Sequence, residues 1–191
     1  MCFIQPCNRH SLKGPSVGAY YCDCGAFGNI CQSLDTETLC KLADEEFIKR
    51  LDNSSKSVAA GEKVLNMSNI TLQSASIRLL CKELESPLLS TITTLNLKST
   101  HLDSFKLRVL SSGLKKLNQL ERLNISTNNV DDFALRYILE LLPTYTVLQE
   151  LDLSHNQITY VGFLKLTQAV TVHVANLRLL SIVGNYYDDS V

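Results

Sequence analysis

LQELDLSHNQI, residues 148–158, decides the reading of the chain. Leu151 and Leu153 alternate with Asp152 and Ser154. A two-residue period puts both leucines on one face of a short strand. Leu148, three residues upstream of Leu151, joins that face. Asn156 and Ile158 follow as the strand ends, and both are expected to turn inward. An Asn there can hydrogen-bond backbone groups that the turn leaves without partners.

Working outward, four more segments stack on this one: VLNMSNITL, TLNLKSTHL, RLNISTNNV and LLSIVGNYY. Their first inward residues, with Leu151 in sequence, are Leu65, Leu95, Leu123, Leu151 and Leu180, at steps of 30, 28, 28 and 29 residues. So regular a step marks a repeat architecture. Asn128 and Asn185 are the equivalents of Asn156, Thr100 offers a weaker version, and Ile70 none.

Each strand is followed by apolar residues at helical spacing: Ile77, Leu80 and Leu84; Phe105, Leu110, Leu114 and Leu117; Phe133, Ile138, Leu141 and Leu142; Phe163, Leu166 and Val170. Ser74, Asp103, Asp131 or Asp132, and Thr159 stand where N-caps are needed, and Pro87 and Pro143 where helices should end. A small residue recurs six positions after the Asn position, at Ser76, Ala134 and Gly162, with Lys106 as the exception. Small side chains there let the helix approach the strand layer. No single strand–turn–helix unit buries its own apolar faces, so stacked units must share a core.

The chain changes character upstream. Residues 1–33 are rich in Gly, Cys, Ser and Asn, 34–56 read as a capping helix (35–51) closed by the turn DNSSKS, and 57–191 hold the repeats. Five of the 7 cysteines lie in the first 31 residues. Their spacings, Cys-x4-Cys and Cys-x-Cys, are not the two-residue gap of zinc knuckles. Free thiols are therefore expected, with zinc on Cys2, Cys7, Cys22 and Cys24 as the alternative. Cys40 and Cys81 fall on apolar helix faces and read as core.

LQELDLSHNQI and LERLNISTNNV closely meet the pattern Leu-x-x-Leu-x-Leu-x-x-Asn-x-Leu. With the 28–30 residue step and the placement of Gly162, residues 61–191 resemble the ribonuclease-inhibitor-like class of leucine-rich repeats. The resemblance implies an α/β solenoid of about five repeats, a horseshoe arc with a parallel sheet on the concave side and helices on the convex side. It also implies protein binding, in roles that include scaffolding, structural parts of cytoskeletal or ciliary (axonemal) assemblies, and regulation of small GTPases.

Charge and motifs narrow the function. Lys+Arg (18) nearly balance Asp+Glu (19), which argues against nucleic acid as the main partner. No apolar run is long enough to span a membrane, and the N-terminus lacks a basic-then-apolar signal pattern, so a cytoplasmic location is expected. Asn-x-Ser/Thr matches at Asn53, Asn66, Asn69 and Asn124 are accordingly read as unused. There is no phosphate loop, and a His155–Asp152 pair without a placed nucleophile does not make a catalytic constellation. No cofactor and no enzymatic activity are expected.

A protein partner is expected instead, on one of two surfaces. The first is the outward strand face, with columns Asn66, Asn96, Asn124, Asp152, Ser181, then Ser68, Lys98, Ser126, Ser154, Val183, then Asn69, Ser99, Thr127, His155, Gly184, and with Arg122 and Glu150 at the strand starts. Asn96, Lys98, Arg122, Asn124, Glu150, Asp152 and His155 are its candidate contacts. The second is the C-terminal end, where Leu180, Ile182, Tyr186 and Tyr187 would lie exposed unless a larger assembly covers them.

Overall fold

The structure, a computed structural model, describes residues 43–186. The candidate zinc ligands Cys2, Cys7, Cys22 and Cys24, together with Cys40, the first part of the expected 35–51 helix, and Tyr187, lie outside the described residues. Among the described residues, α1 (Glu45–Ala59) precedes β1 (Val64–Asn66), α2 (Ser74–Leu84), β2 (Thr94–Asn96), α3 (Ser104–Leu114), β3 (Arg122–Asn124), α4 (Asp132–Leu139), β4 (Glu150–Asp152), α5 (Tyr160–His173) and β5 (Leu179–Ser181). This is an α/β arrangement of five helices and a five-stranded parallel sheet in chain order.

The register follows the leucine rhythm. Leu65 pairs with Leu95, Leu95 with Leu123, Leu123 with Leu151, and Leu151 with Leu180. Leu65, Leu95, Leu123 and Leu151 are buried in one hydrophobic core with Ile77, Leu80, Leu110, Ile138 and Leu166 from the helices. Parallel strands this short, three residues each, gain little from their own ladder, so the shared apolar layer holds them.

An amide ladder runs through that layer. Asn128 Nδ2 donates to the carbonyls of Leu97 (2.9 Å), Ile125 (2.9 Å) and Ser126 (3.1 Å), while its Oδ1 accepts from the backbone of Thr100 (3.0 Å) and Leu102 (2.9 Å). Asn156 bonds Ile125, Leu153 and Ser154 carbonyls and the Val130 N–H, and Asn185 bonds Leu153 and Ile182 carbonyls and the Ile158 N–H. Thr100 Oγ1 does the lesser job, donating to the Leu97 carbonyl at 2.8 Å. In the first repeat Ile70 has no donor; Arg50 of α1 instead donates to the Ser68 carbonyl at 3.2 Å, the equivalent of the Ser126 and Ser154 carbonyls.

Several expectations need correction. The N-terminal helix is not closed by DNSSKS. Asp44 holds the cap position, without a side-chain bond, of a helix that runs through this stretch to Ala59. Asn and Ser lower helix propensity without breaking the helix. Burial of Phe47, Leu51 and Val58 on one face, with a Lys56–Asp52 pair at 2.6 Å, carries it on. Ser74 is the first residue of α2 and not its cap; Gln73 holds the cap position without a side-chain bond. Asp103, Asp131 and Thr159 cap α3, α4 and α5 as expected.

Phe105 and Phe133 were expected in the core and are exposed. Each is the second residue of its helix, and the inward positions go to Leu107 and Leu110, and to Ala134, Leu135 and Ile138. The small-residue position behaves as expected: Ser76, Ala134 and Gly162 are buried. The hydroxyl of Ser76 has no hydrogen-bond partner among the described residues. Lys106 fits by extending outward, where Nζ donates to the His101 carbonyl at 2.7 Å. Partial burial lowers its pKa, and Asp103 opposes the shift.

Candidate functional site

The exposed face of the sheet is built from the first and third residues of each strand. First residues align as Val64, Thr94, Arg122, Glu150 and Leu179, and third residues as Asn66, Asn96, Asn124, Asp152 and Ser181. The leucine between each pair points to the core, which leaves the outer two on the same face. A shallow depression spans β2 to β5, with Leu95, Leu123 and Leu151 at the strand centres and Thr94, Asn96, Arg122, Asn124, Glu150, Asp152, Leu179 and Ser181 around them.

The third-position side chains also close the strands. Oδ1 of Asn66, Asn96, Asn124 and Asp152 accepts the N–H two residues on, at 3.1, 3.1, 2.9 and 2.9 Å. In the third and fourth repeats the same oxygen also takes the hydroxyls of Ser126 (2.7 Å) and Ser154 (2.6 Å). These bonds draw Ser126 and Ser154 inward, and Ser68 is buried as well. One oxygen of each of Asn96, Asn124 and Asp152 belongs to the turn; the amide nitrogens and the second carboxylate oxygen remain to meet a ligand.

The next residue in every repeat is left-handed. Asn69, Ser99, Thr127, His155 and Gly184 have φ of 59°, 54°, 57°, 53° and 74°. Non-glycine residues rarely adopt this conformation. The repeated backbone N–H bonds across the sheet, such as Thr127 to Ser154 at 2.8 Å and His155 to Val183 at 2.7 Å, hold it in place. A Cβ on Gly184 would collide with the His155 ring, so the exposed imidazole lies over bare backbone. Sequence reading placed these residues in one column but missed the conformation. The signal was present in the Asn, His and Gly at this position, types that tolerate or occupy positive φ.

Charge on the face is sparse and fixed in order. Arg122 Nε donates to Thr94 Oγ1 at 3.1 Å, and its guanidinium lies 3.8 Å from Glu121. Glu150, beside Arg122 in register, is exposed and forms no ion pair among the described residues. Lys98 and His155 are exposed on the following turns. His155 forms no hydrogen bond to Asp152, whose Oδ1 is taken by Ser154. Among the described residues no cluster of side chains could hold a metal ion, and no helix is long and apolar enough to cross a membrane.

Residues 146–166 match the Leucine Rich repeat family model. They run from the return loop through β4, Asn156 and the Thr159 cap into α5. The match supports a leucine-rich-repeat family for the chain. No curated protein matches it.

The second candidate surface lies at β5. Leu180 and Ile182 are half-buried and packed against the core, because the leading edge of β5 pairs with β4 and α5 covers part of the layer. The exposed apolar residues there are Leu179, Val183 and Tyr186.

Proposed function

We propose that the chain is a non-catalytic protein-interaction module, a leucine-rich-repeat solenoid of the ribonuclease-inhibitor-like type that docks a protein partner on the exposed sheet face. α1 closes the array at its first repeat. Asn96, Lys98, Arg122, Asn124, Glu150, Asp152 and His155 make the contacts, with Arg122 and Glu150 setting specificity.

The observation that carries this reading is the adjacency of Arg122 and Glu150 at aligned strand positions beside an open depression, on a backbone fixed from beneath by the Asn128, Asn156 and Asn185 ladder. Opposite charges at a fixed spacing impose register on a partner, and a rigid base limits the entropy lost on binding. The open edge of β5, with Leu179, Val183 and Tyr186, extends the contact when the partner is large. The repeat step and the class resemblance support an adaptor in scaffolding or assembly.

A photo-crosslinking amino acid at Thr94 tests the proposal in cells. The expected result is one dominant protein adduct, lost on Glu150→Lys or Arg122→Glu while the circular dichroism spectrum is unchanged. Adducts that persist in both charge-reversed variants overturn it.

A further inference from the structure

The helices carry a second aligned series. Ala75, Phe105, Phe133 and Val161 are the second residues of α2, α3, α4 and α5, and Arg78, Arg108, Arg136 and Leu164 are the fifth. These positions recur at steps of 30, 28 and 28 residues, in time with the strands. Most of the series is exposed despite being apolar or aromatic: Phe133 is 57% accessible, Val161 55%, Leu164 42% and Phe105 39%. Isolated surface apolar residues need no explanation, but an aligned row marks a contact site.

The arginines define what that contact is. Arg136 lies over the Phe133 ring at 4.1 Å and over Tyr137 at 4.7 Å, and Arg108 lies 5.7 Å from the Phe105 ring centre. Arg136 Nη2 donates to the Tyr137 hydroxyl at 2.7 Å, which anchors the guanidinium and leaves its other N–H donors for a carboxylate. None of Arg78, Arg108 and Arg136 forms an ion pair among the described residues, whereas α1 pairs Lys49, Arg50 and Lys56 with acids one turn away. At α5 the row turns apolar, with Val161 and Leu164 in place of ring and arginine.

We propose that this row binds an acidic amphipathic helix of a partner protein, carboxylates facing Arg108 and Arg136 and apolar side chains resting on Phe133, Val161 and Leu164. Packed helices lie ~8–10 Å apart, and seven residues of helix rise ~10 Å. Acids seven residues apart therefore meet successive arginines. Nucleic acid and anionic lipid fit less well. Both need dense positive charge, and here Asp132 stands among the arginines while the row ends in aliphatic residues.

Fluorescence anisotropy on the full chain tests this with a labelled model peptide bearing Glu at i and i+7 and Leu on the adjoining stripe. Its shuffled isomer, a DNA duplex and phosphatidylserine vesicles are the comparisons. The amphipathic peptide should bind at least about tenfold more tightly than its isomer. Arg108→Glu with Arg136→Glu should remove that advantage, Phe133→Ala should weaken it, and a Lys-for-Glu peptide should recover binding to the double variant. Equal affinity for both isomers, indifference to the double variant, or preference for DNA or vesicles overturns the proposal.

Discussion

Asn128 ties its repeat to the one before it, Nδ2 donating to the Leu97 carbonyl at 2.9 Å. The same side chain serves the Ile125 and Ser126 carbonyls and the Thr100 and Leu102 amides, so one buried residue bonds five backbone groups. A side chain used this fully cannot be replaced by an isosteric apolar one, because the backbone groups would remain.

Asn128→Ala should therefore cost ~3 kcal/mol or more, since each orphaned buried group costs ~1–3 kcal/mol and only some can be rehydrated. Asn185→Ala should cost less, because Asn185 is half-buried and its groups stand near solvent. Urea unfolding of both variants checks the order. A loss below ~1 kcal/mol for Asn128→Ala would sink the ladder as a source of stability.

Gly162 and Asp132 make a linked pair across two repeats. A Cβ on Gly162 would run into Asp132 Oδ1 and come within 2.9 Å of Ile158 Cγ2. Asp132 is held there by Thr159, whose backbone N–H it accepts at 2.8 Å. In an open helix Gly→Ala stabilises by up to ~1 kcal/mol. Here the sign should reverse, to a loss of ~1–3 kcal/mol from overpacking and displacement of Asp132. In an Asp132→Ala background the same change should cost less, since only the Ile158 contact remains. A double-mutant cycle by thermal unfolding reads the coupling, and additive losses would refute the link.

How much of this was legible in sequence follows from which forces were local. The leucine rhythm runs through all five units and the Asn position through the last three, so strand register and ladder could be read from LQELDLSHNQI outward. The small position at Gly162 was legible for the same reason. Phe105 and Phe133 were misread because periodicity cannot tell a core ring from one held outside by an arginine a turn away, as Arg136 holds Phe133. DNSSKS was misread because a composition typical of turns can stay helical when Phe47, Leu51 and Val58 have a core to enter. On the candidate face, Asn96, Asn124 and Asp152 were placed on the right side, but their turn-closing bonds depend on a backbone conformation that no spacing reveals. Tyr145, the largest fully buried side chain among the described residues, was missed because it enters from a return loop with no periodic pattern.

That tyrosine sets the last prediction. Its hydroxyl donates to the Leu114 carbonyl at the end of α3, at 3.1 Å, and burial raises its pKa above the ordinary 10.0. Burial also raises the Cys81 thiol above 9.0, with Glu85 adding to the shift and hydrogen bonds from Ser112 and Gly113 opposing it. Both groups keep in the fold a proton that the unfolded chain releases. Their contribution is complete below the unfolded values and is lost as pH climbs toward the folded ones, so stability should fall above about pH 9 through Cys81 and more steeply above about pH 10 through Tyr145. Tyr145→Phe should cost ~1 kcal/mol at neutral pH, because the Leu114 carbonyl loses one of two donors and keeps the Leu117 N–H at 3.1 Å. The variant should nevertheless lose stability less steeply than the parent above pH ~10, by up to ~1.4 kcal/mol per pH unit. Urea unfolding from about pH 8 to 11 measures both slopes. Parallel curves for parent and variant would mean that the Tyr145 phenol ionises as readily in the fold as in the open chain.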